Sequence, residues 1–139
     1  MILLDTNIVL RSNQANATEY PEVVDKLSQW ILQGEKLIIA PQTLYEFYVV
    51  ATRPIAQNGF GLDAIEAQET MEKLTKAYTL LPDNDKIFND WLHLITKYEV
   101  KGKKSHDTRL VAFMLSHQIP HLYTLNTQDF TRLQEVTLV

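Results

Sequence analysis

Short apolar runs, each giving way to residues at helical spacing, recur along the chain. Ile2-Leu3-Leu4 is broken by Asp5-Thr6-Asn7, so the opening reads as a buried strand that ends on an acid and turns directly into a helix. From Glu19 to Gln33, Val23, Val24, Leu27, Trp30 and Ile31 form an apolar stripe, and Gly34 closes the segment. Leu37-Ile38-Ile39-Ala40, stopped by Pro41, suits a buried parallel strand feeding a helix from Gln42 to Arg53. That helix is apolar almost all round, with Leu44, Phe47, Tyr48 and Ala51 on one face and Pro54 as its end.

Asn58-Gly59-Phe60-Gly61 predicts a loop, and Leu62 to Lys76 a surface helix with Ile65, Met71 and Leu74 inward. Tyr78 to Leu81 reads as a short strand, with Asp83 or Asn84 capping a helix through Trp91, Leu92 and Ile95 to about Tyr98. After the basic loop Lys101-Gly102-Lys103-Lys104, Ser105 caps a helix to about His117 whose stripe is Leu110, Val111, Met114 and Leu115. His121 to Leu125 is a further strand, Asn126 to Phe130 a short helical turn, and Val136 to Leu138 a terminal strand. Strands alternating with helices predict an α/β three-layer fold around a mainly parallel sheet.

Composition narrows the chemistry. A chain of 139 residues with 45% hydrophobic content suits one domain spanning 1–139. Having no Cys, it lacks disulfides, thiolate nucleophiles and thiolate metal sites, which leaves carboxylate, hydroxyl and imidazole. No apolar run approaches the ~20 residues of a membrane helix, and neither a signal peptide nor membrane attachment is expected, so the expected setting is cytoplasmic. The net charge of −4 rules out a generally basic surface; a nucleic acid would have to be held by a local patch or through metal ions.

Attention therefore falls on the acids. Asp5 is a good N-cap for the helix that follows it, worth on the order of 1 kcal/mol, and equally a carboxylate at a strand end, where ligands of open parallel sheets sit. Glu46 is the one acid of an apolar helix: a surface Glu that snorkels, or a buried group with a partner. Asp107 lies at the start of a core-facing stripe, where it also complements the helix dipole. Asn126 and Asp129 together imitate a capping box. Asp5, Asp107 and Asp129 each follow a strand or loop on the carboxyl side of the sheet. Three carboxylates sharing that crevice would repel unless a divalent cation neutralised them, and an all-oxygen set suits Mg²⁺ or Mn²⁺ over zinc. Such a centre hydrolyses phosphodiesters.

His93, His106, His117 and His121 make no metal spacing, because Pro120 separates the last two, and Asp83-Asn84-Asp85 reads as a cap. Lys101, Lys103 and Lys104 precede the acid-bearing helix and would overhang the crevice with positive charge, or else form an ordinary solvated loop. Arg11 and Arg53 are secondary phosphate contacts, and Tyr45 and Tyr48 are expected to pack in the core.

Four segments, in order, carry a resemblance: Leu3-Leu4-Asp5-Thr6-Asn7, Thr43-Leu44-Tyr45-Glu46-Phe47, Ser105 to Ala112, and Leu125-Asn126-Thr127-Gln128-Asp129-Phe130. Over its whole length the chain resembles PIN-domain nucleases, in particular VapC-like toxins of toxin-antitoxin pairs. The resemblance implies a PIN-like α/β/α fold and an acidic pocket of Asp5, Glu46, Asp107 and Asp129, with Asp5, Asp107 and Asp129 as metal ligands and Thr6 and Asn126 as polar support. It further implies a Mg²⁺- or Mn²⁺-dependent endoribonuclease in which metal-activated water attacks RNA in line, a homodimer, and a cognate antitoxin. Two other functions stand against it: a catalytically silent PIN-like RNA-binding module that needs no metal, and an aspartyl-phosphate phosphatase or receiver with Asp5 as nucleophile. Many such phosphatases carry a second Asp two positions on, where this chain has Asn7.

Overall fold

Alternating side chains of three central strands face two different cores. In the computed structural model, which describes residues 1–139, Ile2 and Leu4 of β1 (Ile2–Leu4), Leu37 and Ile39 of β2 (Leu37–Ile39) and Tyr123 of β4 (His121–Tyr123) point into one apolar cluster. Leu3, Ile38 and Leu122 point into the other. With strands this short, the two-residue alternation alone decides which layer each side chain joins.

The first layer holds α1 (Thr6–Ser12), α2 (Tyr20–Leu32), α3 (Pro41–Thr52) and α4 (Ala64–Ala77), which contribute Ile8, Val23, Phe47 and Leu74 to its core. The second holds α5 (Ile87–Lys97) and α6 (Lys104–His117). Adding β3 (Thr79–Leu80) and β5 (Thr137–Leu138), the sheet runs β3-β2-β1-β4-β5 with every pairing parallel. The chain leaves β1 toward β2 on one side and returns as β4 on the other. The carboxyl ends of β1 and β4 therefore form the point where strand order reverses, the place in an open α/β sheet where a crevice opens. No helix is long and apolar enough to cross a membrane.

Several local expectations are corrected. Ile65 and Leu115, expected inward, are exposed, as is Leu92. Leu115 fails because α6 is covered by the sheet on one side and α5 on the other, so Leu110 through Met114 are all buried and no single stripe exists. Tyr45 and Tyr48 do not join the core: α3 buries Gln42, Thr43, Phe47 and Ala51, and Tyr45 at 68% exposure lies on the other side. Ser105 is no cap and Lys104 no loop residue. Gly102, at φ +63°, turns the chain so that carbonyls of Gly102 and Lys103 accept from Ser105 and His106, and α6 starts at Lys104 without a side-chain cap.

Candidate active site

Asp5 stands where β1 becomes α1, and its extended backbone lets its N–H bond the Tyr123 carbonyl across the sheet at 3.0 Å. It is only 8% exposed, yet three donors satisfy its carboxylate. The Thr6 N–H donates to Oδ1 at 2.7 Å. Asn7 Nδ2 donates to Oδ2 at 2.8 Å and Thr124 Oγ1 donates to the same oxygen at 2.7 Å. Burial lifts the Asp5 pKa above the usual carboxylate value; the Thr124, Thr6 and Asn7 bonds oppose that rise and the nearby Glu46 charge adds to it. Asp5 is thus a helix cap and a member of an acidic cluster at once.

Glu46 is half-buried and not isolated. Its Oε2 accepts from Thr6 Oγ1 at 2.7 Å and its Oε1 from Gln42 Nε2 at 2.9 Å. The same Gln42 nitrogen donates to the carbonyl of His106 at 2.8 Å, and Gln42 Oε1 accepts from Arg109 Nη1 at 3.2 Å. Arg109 continues to Asp83 at 3.0 Å, so the Asp83 expected as a cap is an ion-pair partner instead. Gln42, buried on α3, thereby ties Glu46 to the first turn of α6, the turn that carries Asp107.

Asp107 and Asp129 accept no hydrogen bond from the protein, and no Lys or Arg pairs with any of the four acids. The Asp107 carboxyl is pushed up to about 6, first by burial and then by the charges of Asp5, Asp129 and Glu46, with only His106 pulling the other way. That mutual repulsion places all four acids within one field. The capping box expected of Asn126 and Asp129 does not form: Asn126 makes no side-chain cap bond at the 3₁₀ turn Thr127–Asp129, and Asp129 is exposed. Asn126 meets the cluster through its backbone, donating its N–H to Thr124 Oγ1 at 3.0 Å.

No group of three or more acidic or imidazole side chains is drawn up to metal-ligating distance. Asp5 and Glu46 are held by hydrogen bonds, and the carboxylates of Asp107 and Asp129 make none. An all-carboxylate set with no positive partner, in which the charges of Asp5, Asp129 and Glu46 add to the rise of Asp107, fits a hard divalent cation.

The basic residues divide. Lys101 and Lys104 line a cleft that also contains Asp129, while Lys103 is exposed and makes no ion pair. Arg11 is turned to Glu19 at 3.5 Å and Gln14 at 2.9 Å and lines a different groove from the acids. Arg53 follows the end of α3, about 10 Å along the helix from Glu46, and makes no ion pair. Neither arginine is brought to the acids.

The local pattern of residues does not single out Thr124, Gln42 or the contacts of Asn7. Thr124 is buried, donates to Asp5 and accepts from Asn7 and Asn126; Asn7 also accepts from the Leu125 N–H at 3.0 Å. A weak signal exists for one of them: Thr124 closes an apolar strand beside the strand that ends in Asp5.

Among solved structures the chain is similar to a toxin-antitoxin complex from Klebsiella pneumoniae, at 22% identity and TM-score 0.70 over 99% of this chain and 96% of that one. It is similar to VapBC-1 from nontypeable Haemophilus influenzae, at 20% identity and TM-score 0.71 over 100% and 97%. Mycobacterium tuberculosis VapC20, described as a Sarcin-Ricin loop cleaving toxin, matches at 11% identity and TM-score 0.70 over 96% and 95%. At these identities the likeness is one of fold. No curated protein sequence matches the chain. The family model of the PIN domain matches residues 2–136, and the chain belongs to the PIN domain family.

Proposed function

We propose that this chain is a divalent-metal-dependent endoribonuclease, acting in the cytoplasm as the toxin of a toxin-antitoxin pair. The observation that carries the reading is the set of four carboxylates at the β1/β4 crevice, none with a cationic partner, where burial first and then the charges of the other three push Asp107 up to about 6. Asp5, Asp107 and Asp129 would hold Mg²⁺ or Mn²⁺, and Glu46 would complete the acidic pocket. A divalent cation there supplies Lewis acidity, making water a competent nucleophile near neutral pH and offsetting charge on the phosphate. The chain's own groups do the positioning: Thr6 and Gln42 fix Glu46, and Thr124, Asn7 and the Thr6 N–H fix Asp5. The toxin-antitoxin complexes among the structural neighbours support an antitoxin partner, and the family resemblance supports a homodimer of one-domain chains. Asp5 is a poor phosphoryl acceptor, being buried with donors on both oxygens.

Incubation of the purified chain with RNA and Mg²⁺ or Mn²⁺ should give cleavage products that chelator abolishes. Equal cleavage in chelator would overturn the metal assignment. Intact RNA under every condition, from a chain that still binds it, would favour the silent module. Co-purification with the product of an adjacent reading frame tests the antitoxin.

Gln42→Met should weaken metal affinity about tenfold, the usual scale for removing an outer hydrogen bond to a ligand. The rate at saturating metal should stay within about threefold of the parent. Metal titrations of activity check this, and an unchanged midpoint would deny Gln42 its positioning role.

A further inference from the structure

A cleft of about 430 Å³ lies between the end of α5, the loop into α6 and the turn that carries Asp129, the one acid of the cluster that lines it. That volume lies in the range of small-ligand sites, roughly 300–1,000 Å³, and suits one nucleotide better than a duplex. Lys101, Lys104 and Arg132 line it, and none of the three is in an ion pair. Its acids are Glu99 and Asp129, so three cations face two carboxylates in a chain whose total charge is −4. Val100 and Leu133 add apolar surface, and Thr108 and Gln128 neutral polar groups.

Arg132 is the fixed member of this set. Its Nη2 donates to the Tyr98 carbonyl at 2.8 Å, which leaves most of the guanidinium's donors uncommitted. The segment around it is fastened to α5: the Tyr98 hydroxyl donates to Glu135 at 2.9 Å and accepts from the Gln134 N–H at 3.1 Å, and Lys97 reaches Glu135 at 2.7 Å. A guanidinium held in this way contacts a phosphate at less entropic cost than a mobile Lys. Arg11, which lines a different groove, is already occupied by Glu19 and Gln14.

We propose that this cleft is the subsite for the nucleotide flanking the scissile bond of single-stranded RNA, with Arg132 gripping that nucleotide's phosphate and Lys101 and Lys104 adding to the field. The proposal rests on the nuclease reading and fixes the side from which the strand enters.

Binding of a short fluorescent single-stranded RNA, followed by anisotropy across a salt series in an Asp107→Asn background that prevents turnover, provides the test. Arg132→Ala should weaken binding about tenfold and reduce the slope of log affinity against log salt by about one. Lys101→Ala, an exposed loop change that leaves folding untouched, should shift both in the same direction. Lys36→Ala, just before β2 and so at the amino ends of the parallel strands, opposite the crevice, should shift neither. In the active chain Arg132→Ala should raise KM about tenfold with kcat within about threefold, the pattern of lost ground-state binding. Parental affinity and slope in both Arg132→Ala and Lys101→Ala would overturn the subsite while cleavage by the parent upheld the nuclease. A parent that neither binds nor cleaves RNA would overturn both.

Discussion

Replacing Asp107 with Asn will lower metal-dependent cleavage about a thousandfold, the upper scale for removing one group that stabilises transition-state charge, while making the chain more heat-stable in chelator. Both effects have one cause. An Asp in the unfolded chain titrates near 3.8 and Asp107 in the folded chain near 6, so folding takes up a proton between those values. Below about pH 4 this group leaves stability unchanged; between about pH 4 and pH 6 stability falls as pH rises, and above that the loss is complete. The displacement corresponds to ~3 kcal/mol before screening, and solvent around a half-buried side chain reduces it to about 1 kcal/mol. Asn carries no charge to repel Asp5, Asp129 and Glu46, so the variant should melt a few degrees higher at neutral pH without metal. Saturating Mg²⁺ inverts the order, because only the parent gains binding energy from a cation that needs the deprotonated carboxylates. Melting curves in chelator and in Mg²⁺, beside a cleavage assay, check this. Parental cleavage by Asp107→Asn would sink the site.

Thr124→Val should cost about 2–3 kcal/mol, more than a typical hydrogen bond, because the buried hydroxyl has three partners. Asp5 loses one donor, and the Asn126 N–H and Asn7 amide lose their acceptor, all from a side chain 4% exposed. Cleavage should fall tenfold to a hundredfold as Asp5 loses its fixed orientation. Thr124→Ser keeps the hydroxyl and should recover most of both losses. Denaturant unfolding and cleavage rates of the pair decide it; a Val variant as stable and active as the parent would show that Thr124 holds nothing.

Residues whose role depends on chain-local geometry are legible in the amino-acid sequence itself. Asp5 follows an apolar run and precedes a helix, and that spacing alone places it at a strand end. Asp107 sits where a helix begins, and its direction toward the sheet follows from Leu110 and Val111. Glu46 and Asp129 are not separable by pattern from a solvated Glu and a cap; the family resemblance singles them out. Thr124, Gln42 and Arg132 escape because their roles exist only across the fold: Thr124 meets Asp5 from 119 residues away and Gln42 meets Arg109 from 67. The same limit explains Leu115 and Tyr45, whose helices are buried by neighbours that no periodicity within one helix encodes.

The position of β1 at the centre of the sheet has a consequence for timing. β1 can pair with β2 early, since the two are close in sequence, but β4 enters on the other side only after α6 has been made. Closing so long a loop is slow compared with local helix formation. During synthesis, which delivers roughly 5–20 residues per second, Asp5 waits for Thr124 until about nine-tenths of the described chain has emerged, and Asp129 and the Arg132 cleft come later still. A nascent chain therefore carries Asp5 long before Thr124 and Asp129, so the four acids come to share one field only after β4 has joined the sheet.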